Sequence, residues 1–386
     1  MTTGFCQCLH ASALFYGRAK TELSFRICGG EFSLMNTSQL YTVCRSFLRC
    51  APSVLLCLCW VLSVPLACMF GPVDYSASQV LAALAETVGI PGEQGALSDD
   101  SLLLVVGEIR FSRTVLALFA GGGLALAGVA MQGALRNPLA DPFLMGVSSG
   151  AALGAGVVLT LGSAGQLNTA QGAMLGALGA LGLALLLGRA DNAVPTGRER
   201  LVLAGVAVST MFGAGVSLLK ALDEESVSGI VFWILGSFQG RGWRDLPLVL
   251  IPSLLGIALL LPCWRALDLM GLGEEDAAHL GVRVARTRLL ALGGAGLLTA
   301  GCVSVSGIIG FVGLVAPHIL RRLTGQWHGP LMFTAWLAGG LFLLWADVAA
   351  RCILPGGMEL PVGVITSLIG GPFFAFLLSS GRGERR

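Results

Sequence analysis

The chain contains repeated runs of roughly 20 apolar residues, the length at which a helix crosses the ~30 Å hydrocarbon core of a bilayer. Charged residues make up 12% of the 386 residues, against about 25% in an average soluble domain. A water-soluble globule is therefore excluded. The sequence predicts an all-α protein that crosses a membrane many times.

Ten spans result when the apolar runs are cut at charges and at Pro or Gly turns. They cover residues 51–70, 114–135, 142–162, 169–188, 201–222, 246–264, 289–306, 308–323, 330–350 and 361–380. The eighth is short for a crossing, although a Gly-rich helix packed inside a bundle can be shorter than one that faces lipid. An even number of spans places both termini on the same side.

The distribution of Arg and Lys between the loops predicts the orientation. If the N-terminus lies inside, fifteen Arg residues fall on the inner side, from Arg45 and Arg49 to Arg385 and Arg386. The outer side then holds six basic residues: Arg110, Arg113, Lys220, Arg241, Arg244 and Arg351. Because basic residues accumulate in cytoplasmic loops, we expect an N-in/C-in topology.

The N-terminal segment 1–48 is predicted to be an extension, and residues 49–382 to form the membrane domain. Residues 1–34 are polar and aperiodic, without the order of regions found in a signal peptide, and Met35 is an alternative start. Eight of the eleven cysteines lie between Cys6 and Cys68 and lack the spacing of zinc ligands. No metal site is predicted.

The sequence limits the possible energy sources for transport. A phosphate-binding P-loop needs a Lys after Gly, and the only lysines, Lys20 and Lys220, follow Ala and Leu. Asp347 and His318 are the main ionisable residues within the spans; Asp347 either pairs with Arg351 one turn later or relays protons. A stand-alone ion-coupled secondary transporter and a membrane enzyme therefore remain as alternatives. The net charge of +2 is too small and too scattered for nucleic-acid binding.

Two further patterns concern packing and partners. Glycines are dense in the second and seventh spans, where small residues allow helices to approach closely. Residues 113–128 and 286–301 share eight identities, which is expected either of an inverted repeat or of a chance match between Gly-rich helices. Between the sixth and seventh spans, Gly273 and three acidic residues precede Gly281. These are start and stop signals of a short inner-side helix, either a solvated surface helix or a docking element.

Seven segments together resemble the permeases of type II ABC importers for iron-siderophores, haem and cobalamin, over residues 50–380. In order they are GEIRFSRT (107–114), GVAMQGALRNPLADPFLMGVSSGAALG (128–154), RLVLAGVAVS (200–209), VFWILGSF (231–238), GLGEEDAAHLGV (271–282), GIIGFVGLVAPHILRRLTG (307–325) and ELPVGVITSLIGGPFF (359–374). The resemblance implies ten helices and both ends in the cytoplasm. It also implies a transport subunit without catalytic residues in a bacterial inner membrane.

The resemblance also implies partners and site residues. Such an importer is completed by a second copy of the chain or a close homologue, by two cytoplasmic ATPase subunits that hold ATP and Mg, and by an extracytoplasmic substrate-binding protein. Membrane lipid surrounds the permease, and no cofactor is expected to bind this chain. The coupling helix at about 273–281 is expected to contact the ATPase, and Asn137, Pro138 and Leu139 to form part of a cytoplasmic gate. Arg110, Arg113 and Arg351 are expected to receive acidic residues of the binding protein, although Phe111 and Ser112 stand where the family commonly has Leu-Pro. The residues assigned to ATPase coupling are Gly273, Glu274, Glu275, Asp276, Leu280 and Gly281.

Overall fold

The computed structural model describes residues 26–27, 30–31, 37–90, 100–162, 167–188 and 197–380. The chain forms two units, residues 1–52 and residues 53–386. The first contains a two-residue antiparallel strand pair, β1 (Arg26–Ile27) and β2 (Gly30–Glu31). Of the predicted extension, residues 1–48, the structure describes 26–27, 30–31 and 37–48, and the rest lies outside the described residues. Helices account for all of the described regular structure from residue 53 onward.

The described residues form fourteen helices joined by short loops. They are α1 (Thr37–Met69), α2 (Ala77–Thr87), α3 (Asp100–Leu135), α4 (Val147–Leu161), α5 (Thr169–Leu187), α6 (Gly197–Leu222), α7 (Val227–Leu235), α8 (Leu246–Leu260), α9 (Trp264–Leu272), α10 (Glu274–His279), α11 (Val284–Ser306), α12 (Val312–Thr324), α13 (His328–Cys352) and α14 (Val362–Ser380). Short 3₁₀ turns at Pro142–Met145 and Trp243–Asp245 precede α4 and α8.

Each of the ten predicted spans coincides with a helix. Seven helices are long and apolar enough to cross a membrane, and α4 and most of α14 are shorter apolar helices. The remaining predicted span, the eighth in chain order, is α12, which has 13 residues and is short, as the sequence indicated. The fold class is therefore confirmed: an all-α multi-pass membrane protein of about ten spans.

The predicted start of the second span, at residue 114, is wrong. Helix α3 begins at Asp100 and continues through a π-helical stretch, Leu104–Phe111, before the α-helix resumes at Ser112. Charged residues in 108–113 indicated a loop, but the arginines among them are buried and find partners inside the protein. A helix tolerates such residues when their charges and donors are satisfied.

Glycines bring α3 against its neighbours, as the sequence predicted. A Cβ atom added to Gly121 would collide with the carbonyl oxygen of Gly339 on α13, and one on Gly128 with the carbonyl oxygen of Gly313 on α12. On α11, a Cβ at Gly294 would lie 2.9 Å from the carbonyl oxygen of Gly256 on α8. Backbone contact of this kind is the usual packing mode inside a membrane.

The two helices with matching sequences, α3 and α11, pack antiparallel. Arg288 Nε, near the start of α11, donates to the Ala134 carbonyl oxygen near the end of α3, at 3.3 Å. Towards the middle of α3 and the end of α11, a Cβ atom added to Gly123 would lie 2.6 Å from Cys302 Sγ. Opposite directions are what an inverted repeat requires, and the repeat itself stays a prediction.

The helix ends form two groups, which we name by the side of the membrane that the charge pattern predicts. The inner end contains the C-terminal end of α3, the α9–α10 segment and the first turns of α11 and α13, joined by contacts such as Asp268 with His328. The outer end contains the start of α3 and the end of α13, joined through Arg113 and Asp347. These contacts agree with the alternating helix directions that the sequence predicted.

Candidate functional site

Arg113 is the centre of a buried ion cluster at the outer end. Its Nε lies 3.1 and 3.0 Å from the two carboxylate oxygens of Asp347, and its Nη2 lies 2.8 Å from Asp347 Oδ1. The remaining nitrogen, Nη1, donates to Glu359 Oε2 at 2.8 Å. The planar guanidinium of Arg113 thus binds two carboxylates that are both far from it in sequence. Its fixed set of N–H donors suits such a contact.

Arg351 completes this cluster from the same helix as Asp347. Its Nε lies 3.2 Å from Asp347 Oδ2, so the predicted pairing of these two residues is confirmed. Neither Nε nor Nη2 of Arg351 has a hydrogen-bond partner among the described residues. We call Arg113, Asp347, Arg351 and Glu359 the outer ion cluster; it contains two cations and two anions, and Asp347 is 0% exposed.

Arg110 is buried beside this cluster and holds the end of α1. Its Nη1 donates to the carbonyl oxygens of Cys68, at 3.0 Å, and Met69, at 3.4 Å, while Nη2 donates to that of Val73. Its guanidinium also lies over the ring of Tyr75, 5.5 Å from the ring centre, within the range of a cation–π contact. Arg110 therefore satisfies carbonyl groups that the end of a helix leaves open.

The three arginines predicted to dock a binding protein are thus poorly exposed. Arg110 is 3% exposed, and Arg113 and Arg351 are each 4% exposed. Arg110 and Arg113 donate to groups of the chain itself. Of the three, Arg351 alone has buried donors without a hydrogen-bond partner among the described residues.

The segment predicted to contact the ATPase forms a short helix at the inner end, α10, separated from α9 by Gly273. Ala277 is fully buried, and Glu274 Oε1 forms an ion pair with Arg288 Nη2 at 2.5 Å. Because Arg288 also donates to α3, this ion pair links the short helix to the centre of the bundle. Gly281 ends the turn with φ +86°, a conformation that glycine adopts readily.

The other side of this segment is open. Glu275 and Asp276 are exposed, and Leu280 is 62% exposed. A large apolar side chain beside two carboxylates, outside the membrane-spanning helices, is suited to contact with another protein. Of the six predicted coupling residues, Glu274 faces the bundle, Glu275, Asp276 and Leu280 face away from it, and Gly273 and Gly281 lie at the two ends of the segment.

The predicted gate residues form a compact turn after α3. The Asn137 side-chain oxygen accepts a hydrogen bond from the Leu139 N–H at 3.0 Å, and its carbonyl oxygen accepts from Ala140 N at 3.0 Å. Pro138 lies between them, and Leu139 is 45% exposed. The turn is stiff and presents an apolar side chain at the inner end.

Asp141 caps the helical turn that follows. Its Oδ1 accepts from the Phe143 N–H at 2.8 Å, next to Pro142 in the first helical position. Burial raises the pKa of this carboxyl to about 6, and the hydrogen bond from Phe143 opposes part of that rise. No cation pairs with it in the described part of the chain.

Sequence reasoning missed Glu359 and Arg288. Glu359 follows a Gly-Gly turn and Arg288 opens a helix, and neither has a local charge partner within four residues. The matched motifs contained Glu359, but only the three-dimensional contact with Arg113 identifies its partner. Among the described residues no group of three or more His, Cys, Asp or Glu side chains is arranged to hold a metal ion.

Comparison with known proteins agrees with this architecture. The model of the FecCD transport family matches residues 55–380. The cobalamin import system permease protein of Halobacterium salinarum is 42% identical over 71% of this chain and 73% of its own length. The hemin transport system permease protein of Yersinia pestis is 37% identical over 75% and 87%.

A solved structure supports the same family. A metal-chelate type ABC transporter in an inward-facing conformation superposes with a TM-score of 0.71 and 33% identity, covering 86% of this chain and 99% of that one. The resemblance drawn from the seven motifs is confirmed, including its type II permease fold. This chain belongs to the FecCD transport family of membrane permeases.

Proposed function

We propose that this chain is the transmembrane permease subunit of an ATP-driven importer that carries an iron chelate, haem or cobalamin across the bacterial inner membrane. The named relatives act on cobalamin and hemin, and the solved neighbour is of the metal-chelate type. In the assembled importer two such subunits enclose the pathway, and two cytoplasmic ATPase subunits bind ATP and Mg. The permease then performs mechanical work and no covalent chemistry.

The observation that carries the proposal is the division of the inner α10 segment into an anchored side and an open side. Ala277 and the Glu274–Arg288 ion pair fix the short helix to the bundle. Glu275, Asp276 and Leu280 are then free to contact a partner. A push on such a helix is transmitted to α3 and α11 through Arg288, because rigid packed elements move as units.

At the outer end, the proposal assigns binding-protein docking to Arg351, while Arg110 holds the backbone at the end of α1 and Arg113 holds the carboxylates of Asp347 and Glu359. Arg351 has buried donors without a hydrogen-bond partner, and its carboxylate neighbour Asp347 is shared with Arg113. An acidic residue of the binding protein would supply the missing acceptor. Such charge pairs set register and encounter rate more than affinity.

At the inner end, the turn formed by Asn137, Pro138 and Leu139 is proposed as part of the cytoplasmic gate. The local hydrogen bonds hold the turn in one shape, and Leu139 offers an apolar surface that excludes water when two such turns meet. The residue is exposed in the isolated chain, as a gate closed by a second copy requires.

The alternative, an ion-coupled carrier that acts alone, has less support. Asp347 was its main candidate for proton relay, and both of its oxygens are engaged by Arg113 and Arg351. Both oxygens are thus committed to ion pairs within the protein, whereas a relay needs a carboxylate that is open to a proton donor and acceptor. Within the described part of the chain, no observation favours a membrane enzyme.

A double variant of the open side tests the coupling role. Glu275→Lys with Leu280→Asp should abolish co-purification of the ATPase with the tagged permease, and with it ATP-dependent uptake in proteoliposomes. Arg286→Gln, also exposed at the inner end but outside the segment, serves as the control. Ferric siderophore, haem and cyanocobalamin are each supplied on the partner binding protein. Retention of the ATPase at the level of the control would overturn the assignment.

A further inference from the structure

An apolar groove on the surface of the bundle and a polar cavity at the inner end are lined by neighbouring residues of the same two helices, α9 and α13. The groove, of about 310 Å³, lies between the end of α8 and the first turns of α13. Its walls are Ile257, Leu260 and Leu261 on one side and Met332, Phe333 and Trp336 on the other. Leu261 is 64% exposed and Phe333 is 51% exposed, so the groove opens outward from the bundle.

One wall of the groove is a helix face. From Gly329 to Trp336, within α13, the chain advances seven residues, which is about 10 Å at 1.5 Å per residue. The opposite wall is formed by the end of α8, the turn at Leu261 and the first residue of α9, Trp264. A narrow apolar channel of this length fits the part of an acyl chain nearest the lipid headgroup.

The groove and the cavity are both lined by α9 and α13. On α9, Trp264 lines the groove and Asp268, one turn further inward, lines the cavity. On α13, Gly329 lines the groove and His328, one residue further inward, lines the cavity. The volume of the cavity is about 710 Å³. Trp327, 67% exposed, lies at its mouth, where the inner membrane interface is expected and where Trp is enriched.

The cavity carries unpaired positive charge. Arg136 and Arg321 both line it, and neither forms an ion pair within the described part of the chain. The acidic residue of the cavity, Asp268, is already engaged: its Oδ1 accepts from the His328 backbone N–H at 2.8 Å and lies 2.7 Å from the ring Nδ1. Arg136 also lines a separate cleft beside Glu274 without pairing with it.

The cavity also contains an unpartnered acceptor. Gln132 is 3% exposed, and its Nε2 donates to the Gly313 carbonyl oxygen at 3.1 Å. Its Oε1 has no hydrogen-bond partner among the described residues. A buried amide oxygen left in this way is costly unless a ligand donates to it.

We infer that the groove and the cavity together bind one anionic glycerophospholipid of the inner leaflet whose headgroup carries a hydroxyl donor. An acyl chain occupies the groove, the phosphate lies in the cavity with Arg136 and Arg321, and the headgroup hydroxyl donates to Gln132. Basic cavities between helices on the cytoplasmic side have this recognition chemistry. A soluble ATPase would satisfy the arginines but would leave the apolar groove uncovered, so the lipid accounts for both features.

The lipid specificity of the unmodified chain is the first test. The full chain is purified in mild detergent, exposed to equal amounts of phosphatidylglycerol and phosphatidylcholine, and analysed by native mass spectrometry. One phosphatidylglycerol should remain bound, at about tenfold greater occupancy than phosphatidylcholine. Soluble glycerophosphoglycerol, which lacks acyl chains, should not displace it at equal concentration. Equal retention of both lipids, or displacement by the soluble compound, would overturn the inference.

Paired variants locate the site. Arg136→Gln with Arg321→Gln should lower phosphatidylglycerol occupancy at least tenfold, since each basic residue near a lipid surface contributes about 1 kcal/mol. Arg286→Gln with Arg322→Gln removes the same charge from exposed inner-end positions outside the cavity and should leave occupancy unchanged. An equal loss in both pairs would reduce the effect to net charge and contradict the site.

The groove is tested without removing charge. Leu261→Trp fills the groove, whereas Leu254→Trp places the same side chain at a position that is 65% exposed and does not line it. Only Leu261→Trp should reduce occupancy by phosphatidylglycerol. If the ATPase is the true occupant of the cavity, the arginine pair will instead lose ATPase co-purification while lipid occupancy stays unchanged, and the inference fails.

Discussion

The two ends of the bundle use charged residues in opposite ways. At the outer end, Arg113, Asp347, Arg351 and Glu359 form an internally neutral cluster in which every group is buried or nearly so. At the inner end, Glu275, Asp276 and the neighbouring Leu280 are exposed. The charges of the outer ion cluster hold the chain together, whereas these three inner side chains make no contact of that kind and are the ones proposed to bind a partner. Exposure, more than residue type, separates these two groups of side chains.

The largest effect is expected from removing the shared anion of the outer ion cluster. Asp347→Asn leaves Arg351 buried without a carboxylate and Arg113 with Glu359 alone. Loss of one partner from a buried ion pair costs about 3–5 kcal/mol, so we expect a large fall in thermal stability in detergent. Asp245→Asn, which weakens the partly exposed 3.5 Å pair with Arg241, should cost at most about 1 kcal/mol. Equal effects of the two substitutions would contradict the contrast between buried and exposed charge.

Within the inner segment, neighbouring glutamates should differ in their effect on stability. Glu274→Gln leaves Arg288, 5% exposed, with only a carbonyl partner and should cost about 1–3 kcal/mol in the free energy of unfolding. Glu275→Gln should change it by no more than about 0.5 kcal/mol, because the side chain is exposed. Thermal unfolding of the two variants measures the difference. The reverse order would show that the anchored and open sides are wrongly assigned.

Arg351 is the position at which the outer end can be shown to contact a partner. Arg351→Gln should weaken docking of the binding protein about tenfold at low salt and less at high salt, since salt screens charge pairs. The measurement is made only on material whose unfolding temperature shows it to be folded. Arg244→Gln, an exposed outer-end control, should have a smaller effect. An unchanged docking constant for Arg351→Gln would remove this residue from the interface.

The smallest effect concerns Asp141, a half-buried inner-end carboxyl that has no cationic partner among the described residues. Its folded-state pKa, about 6, lies above the ordinary value of 3.8, so the folded chain binds more protons between these values. Stability should therefore rise as pH falls from 7.5 towards 4.5, in contrast to a paired carboxylate. Asp141→Asn keeps an acceptor for Phe143 and should gain about 1 kcal/mol at pH 7.5, less than full linkage because the side chain is partly exposed. The gain should shrink to about a third at pH 4.5 and vanish only below pH 3.8, where the carboxyl is protonated in both states. A gain independent of pH would contradict this account.

The helices could be predicted because apolar length and glycine spacing are local signals. The ten predicted spans and the close approach at Gly121 and Gly128 follow from residues adjacent in sequence. The pairing of Asp347 with Arg351 was also predictable, since residues four apart share a helix face. These parts of the structure depend on neighbours along one helix.

The contacts that depend on tertiary packing could not be predicted. Arg113 and its carboxylate partners are separated by 234 and 246 residues, and no local pattern indicates such pairs. The start of α3 was placed too late for the same reason. Residues 108–113 include three charged residues, and the burial of Arg110 against the end of α1 and of Arg113 in the outer ion cluster explains how they remain helical. The burial of the Arg110, Arg113 and Arg351 side chains likewise depends on tertiary packing.

The most direct test of the central claim is uptake by the chain reconstituted into proteoliposomes with and without its ATPase partner. Ferric siderophore, haem and cyanocobalamin are each presented on the binding protein, and internal accumulation is measured with ATP inside the vesicles. We predict accumulation of one of these compounds only when the ATPase is present, and none by the permease alone under any ion gradient. Concentrative import by the permease alone would contradict the account.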